Sequence, residues 1–587
     1  MSDGRLPVRR RWLGWTIGAL LTFLVLSIGW VTVRGIGAVN ELQQVATLSS
    51  QMKGAVGDGD LDSAESLAKR ISLHAGSAHD LTSDPIWRAY SLVPWLGANF
   101  TAVSEVSAIA DDIASNAVAP VLSASHDIDI SSLGFAGGAV DLTPFTKIRR
   151  PLAEAAEILN AADERARRID ADATLPPLAD AVRELQSTVS EVTTAVGALH
   201  GASVLLPTML GGEGGRNYVI VMQNNAELRS SGGIVGAIAL LHAENGRISL
   251  TQQPSTSEFP VLDTPLPLSE STVALFEERP GRYIQDATSI PDFTEAAPLI
   301  SQRWQGRFGT TVDGVIAVDA VMTRNLLEAT GPLSFGPFTA DSGNVVSLLL
   351  SEIYAQVPDP ALQDQIFGQA AAAMLGAALS NANAKTLISA FAASADEGRI
   401  RIWSAHEDEQ RVLESSTLSG TITEDAPGEA RVGVLFNDTT GGKMDYYADA
   451  EISTAFGICG GVPTTQVRVV WTNGAPNDAG TSLPAYVTGN GIFGVLAGNT
   501  RTLITIYGPS GATLAKIDRD GEEDSVQTTT FGSRSAVQHE VQLEPGRSAT
   551  ITATFVGKDA GIAPREVLHT PLVNDPEVKS ETLTCGS

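Results

Sequence analysis

The sequence predicts a multidomain, membrane-anchored protein with four parts. These are an N-terminal transmembrane helix, a helical bundle or coiled-coil stalk, a central α/β (α+β) domain and a C-terminal immunoglobulin-like β-sandwich. Three observations predict this. An uncharged apolar span follows an arginine cluster near the N-terminus. The period of the apolar residues changes twice, from helical spacing to short runs near residue 204, and to strand-like runs near residue 412. Finally, a chain of 587 residues, 43% hydrophobic and 18% charged, is long enough and apolar enough for several cores.

Taken in order, residues 1–11 read as a cytoplasmic tail carrying Arg5, Arg9, Arg10 and Arg11. Residues 12–33 hold no charge, with Trp12 and Trp30 where interfacial anchors belong and Arg34 as the stop. About 20 apolar residues suffice to cross a bilayer as a helix. The arginines place the N-terminus inside and the bulk of the chain outside, a single-pass protein of the cell membrane. A cleaved signal peptide is the rival, but Val31-Thr32-Val33-Arg34 is a poor cleavage site.

Residues 35–203 read as a helical stalk. Leu61, Ala64, Leu67, Ala68 and Ile71 share a face, as do Val103, Val106, Ala110, Ile113 and Ala117. Leu178, Val182, Leu185, Val189, Val192 and Val196 alternate steps of four and three. An aromatic insertion, Asp84 to Gly97, interrupts the pattern with Trp87, Pro94 and Trp95. Its tryptophans either pack the end of the bundle or touch lipid or a partner. Gly211-Gly212-Glu213-Gly214-Gly215 then reads as a flexible hinge.

Residues 204–411 alternate apolar runs, at 217–222, 234–241, 247–250 and 312–318, with helical stretches, the mark of a layered α/β domain. Residues 412–587 carry short strands separated by turns such as Asn473-Gly474, which predict the sandwich. The chain has two cysteines, Cys459 and Cys585, too few for a thiolate metal cluster. In an oxidising compartment they suit one disulfide tying the C-terminus to its domain. A net charge of −28 argues against nucleic acid as partner.

The chemistry concentrates in the turn Gln223-Asn224-Asn225-Ala226-Glu227-Leu228-Arg229-Ser230-Ser231-Gly232-Gly233, set between two buried-strand patterns. Polar groups held there are costly unless they are used. A well hydrogen-bonded hairpin turn is the plain alternative. From residue 211 to 310 the basic side chains are all arginine, a hint of an oxyanion site, although salt bridges to nearby carboxylates explain them equally well. No His-x-x-His zinc pattern or Gly-x-Ser-x-Gly elbow stands out.

This turn, with Ile290-Pro291-Asp292-Phe293, the run Val312 to Asp319, Thr330-Gly331-Pro332-Leu333, Lys443-Met444-Asp445-Tyr446-Tyr447 and the aromatic Trp87 to Gly97 element, resembles the bacterial family catalogued as domain of unknown function 4012. That resemblance implies an envelope-facing, membrane-anchored protein of a kind common in Gram-positive bacteria. In order of elements the chain also resembles the LytR-CpsA-Psr phosphotransferases, which move glycopolymers from polyprenyl-pyrophosphate carriers. The second resemblance implies Glu227, Arg229 and Asp292 as catalytic residues. It implies Gln223, Asn224, Asn225, Arg282 and Arg303 as ligand-binding residues and Asp286 as a metal ligand. A divalent cation such as Mg would be the cofactor. The chain departs from that family at Thr251 to Ser257, which lacks the expected arginine and aspartate. The expected function is therefore a non-catalytic glycan-binding or scaffolding role in envelope assembly, with the phosphotransferase as alternative. The expected partners are the membrane and a cell-wall glycopolymer or lipid-linked saccharide; oligomeric state is left open.

Overall fold

The computed structural model describes residues 9–58, 60–125, 135–136, 139–380, 384–422, 425, 430–526, 528–557, 560–561 and 564–585. The chain divides into two units, one of residues 1–130 and 142–207, the other of residues 131–141 and 208–587.

The first unit is helical. Helix α1 (Arg9–Asp58) runs unbroken through the apolar span and beyond it. Trp15, Leu20, Phe23 and Leu26 project outward from the span with most of their surface exposed. By length and composition this helix can cross a membrane. Past Arg34 it acquires a buried stripe, with Ala38 and Leu48 inside the bundle. Leu48 clusters with Ile71 and Ala75 of α2 (Leu61–Thr82) and with Ala114. Helices α3 (Pro85–Tyr90) and α4 (Gly97–Asp112) follow. Ile109 packs with Ala162, Ala166 and Val189 of the helices Thr143–Arg167 and Pro176–Met209. The expected stripes thus supply the bundle core: Ala64, Ala68, Val106, Ala117, Val182 and Val189 are all buried.

One expectation for this stretch is corrected. Within residues expected to form a helical stalk lie two short strands, β1 (Phe135–Ala136) and β2 (Ala139–Val140). They belong to the second unit, where Ala139 pairs with Arg247. The glycine run at 211–215 is tied down at its start: Gly246 N–H donates to the Leu210 carbonyl at 2.8 Å and Asn245 N–H to the Gly211 carbonyl at 3.0 Å. Gly211 has φ +75°, and a Cβ there would meet the Ala243 carbonyl oxygen at 2.4 Å, so only glycine fits.

The second unit opens with a mixed seven-stranded sheet. Its order is β1, β2, β5 (Arg247–Gln252), β4 (Gly232–Glu244), β3 (Arg216–Arg229), β6 (Gly314–Asp319) and the strand Ile400–Ser404. β3 and β6 run parallel, the other neighbours antiparallel. Side chains alternate across the strands, so Val219 and Val221 join Phe293, Ile300 and Trp304 of the helix Phe293–Phe308 on one face. Ile220, Met222 and Val318 join Met322 and Ala395 on the other. Burial on both faces explains why Tyr218 to Met222 is apolar throughout.

The C-terminal part is two sheets around one core. One has five strands, with Ala430–Asp438 between Thr500–Ser510 and Pro564–His569. The other has six, including Ala448–Cys459, Val462–Asn473 and Ser548–Gly557. Val434, Phe436, Val469, Trp471, Ile506 and Phe555 fill the space between them, with Phe436 stacked on Trp471 at 4.4 Å between ring centroids. The expected disulfide, Cys459–Cys585, is formed. It fastens the chain just after the last strand, Glu577–Thr582, which pairs in parallel with Ala448–Cys459.

These two parts are not independent. Leu228, at the end of β3, is fully buried in the core of the sandwich beside Val432 and Phe436. We expect Leu228→Ala to lower stability by about 2–5 kcal/mol. Urea unfolding followed by near-UV dichroism should show the whole unit melting earlier in a single step.

Candidate functional site

The turn singled out by sequence is where β3 leaves its sheet. β3 and β4 pair regularly up to Met222, then the register slips between Met222 and Gln223 and again between Asn224 and Leu228. A bulge of this kind turns side chains away from the ladder. Two glycines allow the close return. Gly232 has φ +141°, and a Cβ on Gly233 would meet the Asn224 carbonyl oxygen at 2.3 Å.

Most polar groups of the bulge are bonded within the unit, but Asn225 Oδ1 is buried with no hydrogen-bond partner among the described residues. Gln223 Nε2 donates to Ser231 Oγ at 3.1 Å, and Asn224 Nδ2 to Tyr354 Oη at 2.7 Å. Asn225 Nδ2 donates to Asp319 at 3.0 Å and to the Pro571 carbonyl at 3.2 Å. Leu228 N–H donates to Asp445 at 2.9 Å, and Ser230 N–H to Asn437 at 3.0 Å.

Arg229 sits at the centre, 7% exposed. Its Nε and Nη2 reach Asp286 Oδ1 at 3.1 and 2.9 Å, Nη2 reaches Glu227 at 3.3 Å, and Nη1 donates to the Leu228 carbonyl at 2.8 Å. The second oxygen of Asp286 accepts from Arg279 at 2.9 Å. Glu227 turns its other oxygen to Lys443 Nζ at 3.2 Å. That ammonium lies over the rings of Tyr354 and Tyr486, at 5.2 and 5.3 Å from their centroids.

Burial opposes the charge on Arg229, but Glu227, Asp286 and Asp438 outweigh it and hold the guanidinium above its usual range. Burial likewise opposes the charge on Lys443, and Tyr354 and Glu227 reverse that. The carboxylates divide. Burial, then the charge of Glu227, pushes Asp438 up to about 6, against Arg229 and hydrogen bonds from Thr440. Burial, then Asp438, raises Asp445 well above the usual carboxylate range.

A second buried cluster adjoins the first through Asn225. Asp319, which caps the helix Ala320–Thr330, pairs with Arg399 at 3.0 Å, both side chains being almost fully buried. Arg399 also holds Glu397, Asp575 and the Leu572 carbonyl.

The structure therefore brings Gln223, Asn224, Asn225, Glu227, Arg229 and Asp286 together. Asp286, expected as a metal ligand, bridges two arginines; among the described residues no group of three His, Cys, Asp or Glu side chains is placed to hold a metal. Among the described residues, Asp292, Arg282 and Arg303 share no hydrogen-bond partner with Arg229. Asp292 caps the helix Phe293–Phe308 through Thr294 N–H at 2.9 Å, and its second oxygen accepts from Ile422 N–H at 3.2 Å. Arg282 pairs with Glu278 at 2.7 Å and reaches the carbonyls of Leu262 and Asp263. Arg303 donates to the Pro260 carbonyl, and burial lowers its pKa. Asp438, Lys443, Asp445 and Arg399 carry the cluster without having been assigned roles from sequence. The one signal was the Lys443 to Tyr447 motif, where charges lie directly against aromatic residues.

Residues 213–354 match the family described as "Protein of unknown function (DUF4012)". No curated protein matches the chain.

Asp438 generates a pH prediction. Its folded-state pKa lies above that of an ordinary aspartate, so between roughly pH 4 and 6 the native chain holds more protons than the unfolded one. Its contribution to stability is therefore present at low pH and lost as pH rises through about 6. Asp438→Asn should narrow or reverse its stability deficit relative to wild type between pH 5 and 7.5, as measured by denaturant midpoints at both values.

Proposed function

We propose, from a segment that belongs to a family of unknown function, that this chain is a membrane-anchored extracytoplasmic scaffold of the cell envelope, without catalysis at the Arg229 site. The observation that carries the reading is the internal use of Arg229. Pyrophosphate chemistry needs guanidinium groups and metal ligands turned toward substrate. Here the guanidinium is spent on Asp286, Glu227 and the Leu228 carbonyl, and Asp286 is held by two arginines.

The long apolar stretch of α1 and the arginines before it support the anchor, with the N-terminus inside. The disulfide supports an oxidising compartment for the C-terminal part, and its two facing sheets support the immunoglobulin-like description. A cell-wall glycopolymer or lipid-linked saccharide remains the proposed partner, met by surface outside the buried network.

The test separates a structural role from a catalytic one. Removing one member of a buried ion pair typically costs about 3–5 kcal/mol, whereas replacing both with apolar residues of similar size is often tolerated. Arg229→Ala alone should therefore lower the amount of folded protein. The double variant Arg229→Met with Asp286→Leu should recover folding and restore envelope polymer content in a deletion strain. A double variant that folds, by melting curve, yet leaves polymer attachment lost would overturn the scaffold reading in favour of catalysis.

A further inference from the structure

The aromatic insertion after α2 splits into two halves with opposite fates. Trp87 is buried, its Nε1 donating to the Phe100 carbonyl at 3.0 Å and its ring edge-on to Phe100 at 5.0 Å. The turn that follows faces outward. Leu92 is 83% exposed, Trp95 96% and Leu96 51%, with Val93 and Pro94 exposed between them.

The backbone is shaped to present these residues. Trp95 adopts φ +67°, a left-handed conformation that a bulky side chain seldom takes. Gly97 closes the turn so tightly that a Cβ would lie 2.2 Å from the Ser91 carbonyl oxygen.

Side-chain contacts fix the height of this turn along α1. Tyr90 Oη lies 2.8 Å from Ser27 Oγ, inside the apolar span. Trp30 Nε1 donates to Asp84 at 3.4 Å, and Arg34, which ends the span, pairs with Asp84 at 2.9 Å. Seven residues of helix between Arg34 and Ser27 amount to about 10 Å. Tyr90, which leads directly into the turn, thus reaches the last turns of the span, about 10 Å inward from its charged end, a level that lies in the outer half of the bilayer if α1 is the anchor.

From this we infer that Leu92, Val93, Trp95 and Leu96 form a second membrane contact, an apolar wedge that enters the outer leaflet beside the spanning helix. The inference rests on the reading of α1 as a membrane anchor. Its occupant is lipid because the exposed patch is continuous in height with the lipid-facing span. Clustered large apolar groups at such a level match the interfacial belts of membrane proteins. Two attachments, one spanning and one dipping, would fix the rotation and tilt of the helical unit against the bilayer, which a single helix leaves free.

The test uses the full chain in phosphatidylcholine–phosphatidylglycerol vesicles, with its two native cysteines held in their disulfide. Nitroxide labels are attached singly to Leu92→Cys, Leu96→Cys, Phe23→Cys within the span and Val56→Cys far along α1. Collision rates with oxygen, which partitions into lipid, are compared with those of a water-soluble nickel chelate. The expected result is a several-fold higher oxygen-to-nickel ratio at Leu92, Leu96 and Phe23 than at Val56. A water-like ratio at Leu92 and Leu96 with a lipid-like ratio at Phe23 overturns the wedge and leaves the anchor standing. Water-like ratios at all four positions overturn the anchor, and the wedge with it. Labels at Leu92 and Leu96 shielded from both reagents would mean that protein covers the turn, which also overturns the lipid assignment.

Discussion

The buried ion pair between Arg229 and Asp286 is the constraint that the second unit closes around. Neither charge can stay in a low-dielectric interior alone, because the desolvation penalty of one ion is several kcal/mol. Each therefore has to be met by groups from elsewhere in the chain. Asp286 is delivered by the short 3-10 helix Ile284–Ser289 before the helix Phe293–Phe308, Glu227 by the bulge itself, and Lys443 by the segment that follows a sandwich strand. Forming one contact without the others would leave a charge stranded, so the sheet and the sandwich settle together. Leu228 adds an apolar tie at the same place, its side chain in the sandwich core while its N–H is held by Asp445.

Local pattern made much of the architecture legible. The apolar span and its arginines, the stripes of α2 and α4 and the buried strands β3 and β6 follow from side-chain period or composition, properties that act over a few residues, and the disulfide follows from the chain having two cysteines. What escaped notice has a different physical origin. The hairpin formed by β1 and β2 is too short to show any period. The partners of the central turn lie far off in sequence: 217 residues separate Leu228 from Asp445, and 346 separate Asn225 from Pro571. No periodicity encodes a meeting of that range.

The arginine-only composition around the turn shows the same limit from another side. A planar guanidinium suits a bound oxyanion and an internal carboxylate equally well, since both present paired oxygens to its fork. Sequence therefore marked Arg229, Arg282 and Arg303 alike. In the folded chain, Arg229 and Arg282 meet carboxylates and Arg303 a backbone carbonyl. Glu227 and Asp286, to which the phosphotransferase resemblance gives roles, both pair with Arg229.

A buried charge network contributes less to stability than apolar packing of the same volume, so its presence needs another justification. Directionality supplies one. A hydrophobic contact such as Leu228 in its pocket tolerates small rotations, whereas the fork of Arg229 on Asp286, the cradle of Tyr354 and Tyr486 around Lys443, and the Asp319–Arg399 pair accept one geometry each. The contacts that cross between the α/β sheet and the sandwich, Lys443 on Glu227 and Tyr354 and Arg399 on Asp575 and the Leu572 carbonyl, constrain the angle between them. The scaffold role proposed above would draw on that angular certainty, because a scaffold places its partners by the relative orientation of its faces rather than by chemistry at a single cleft.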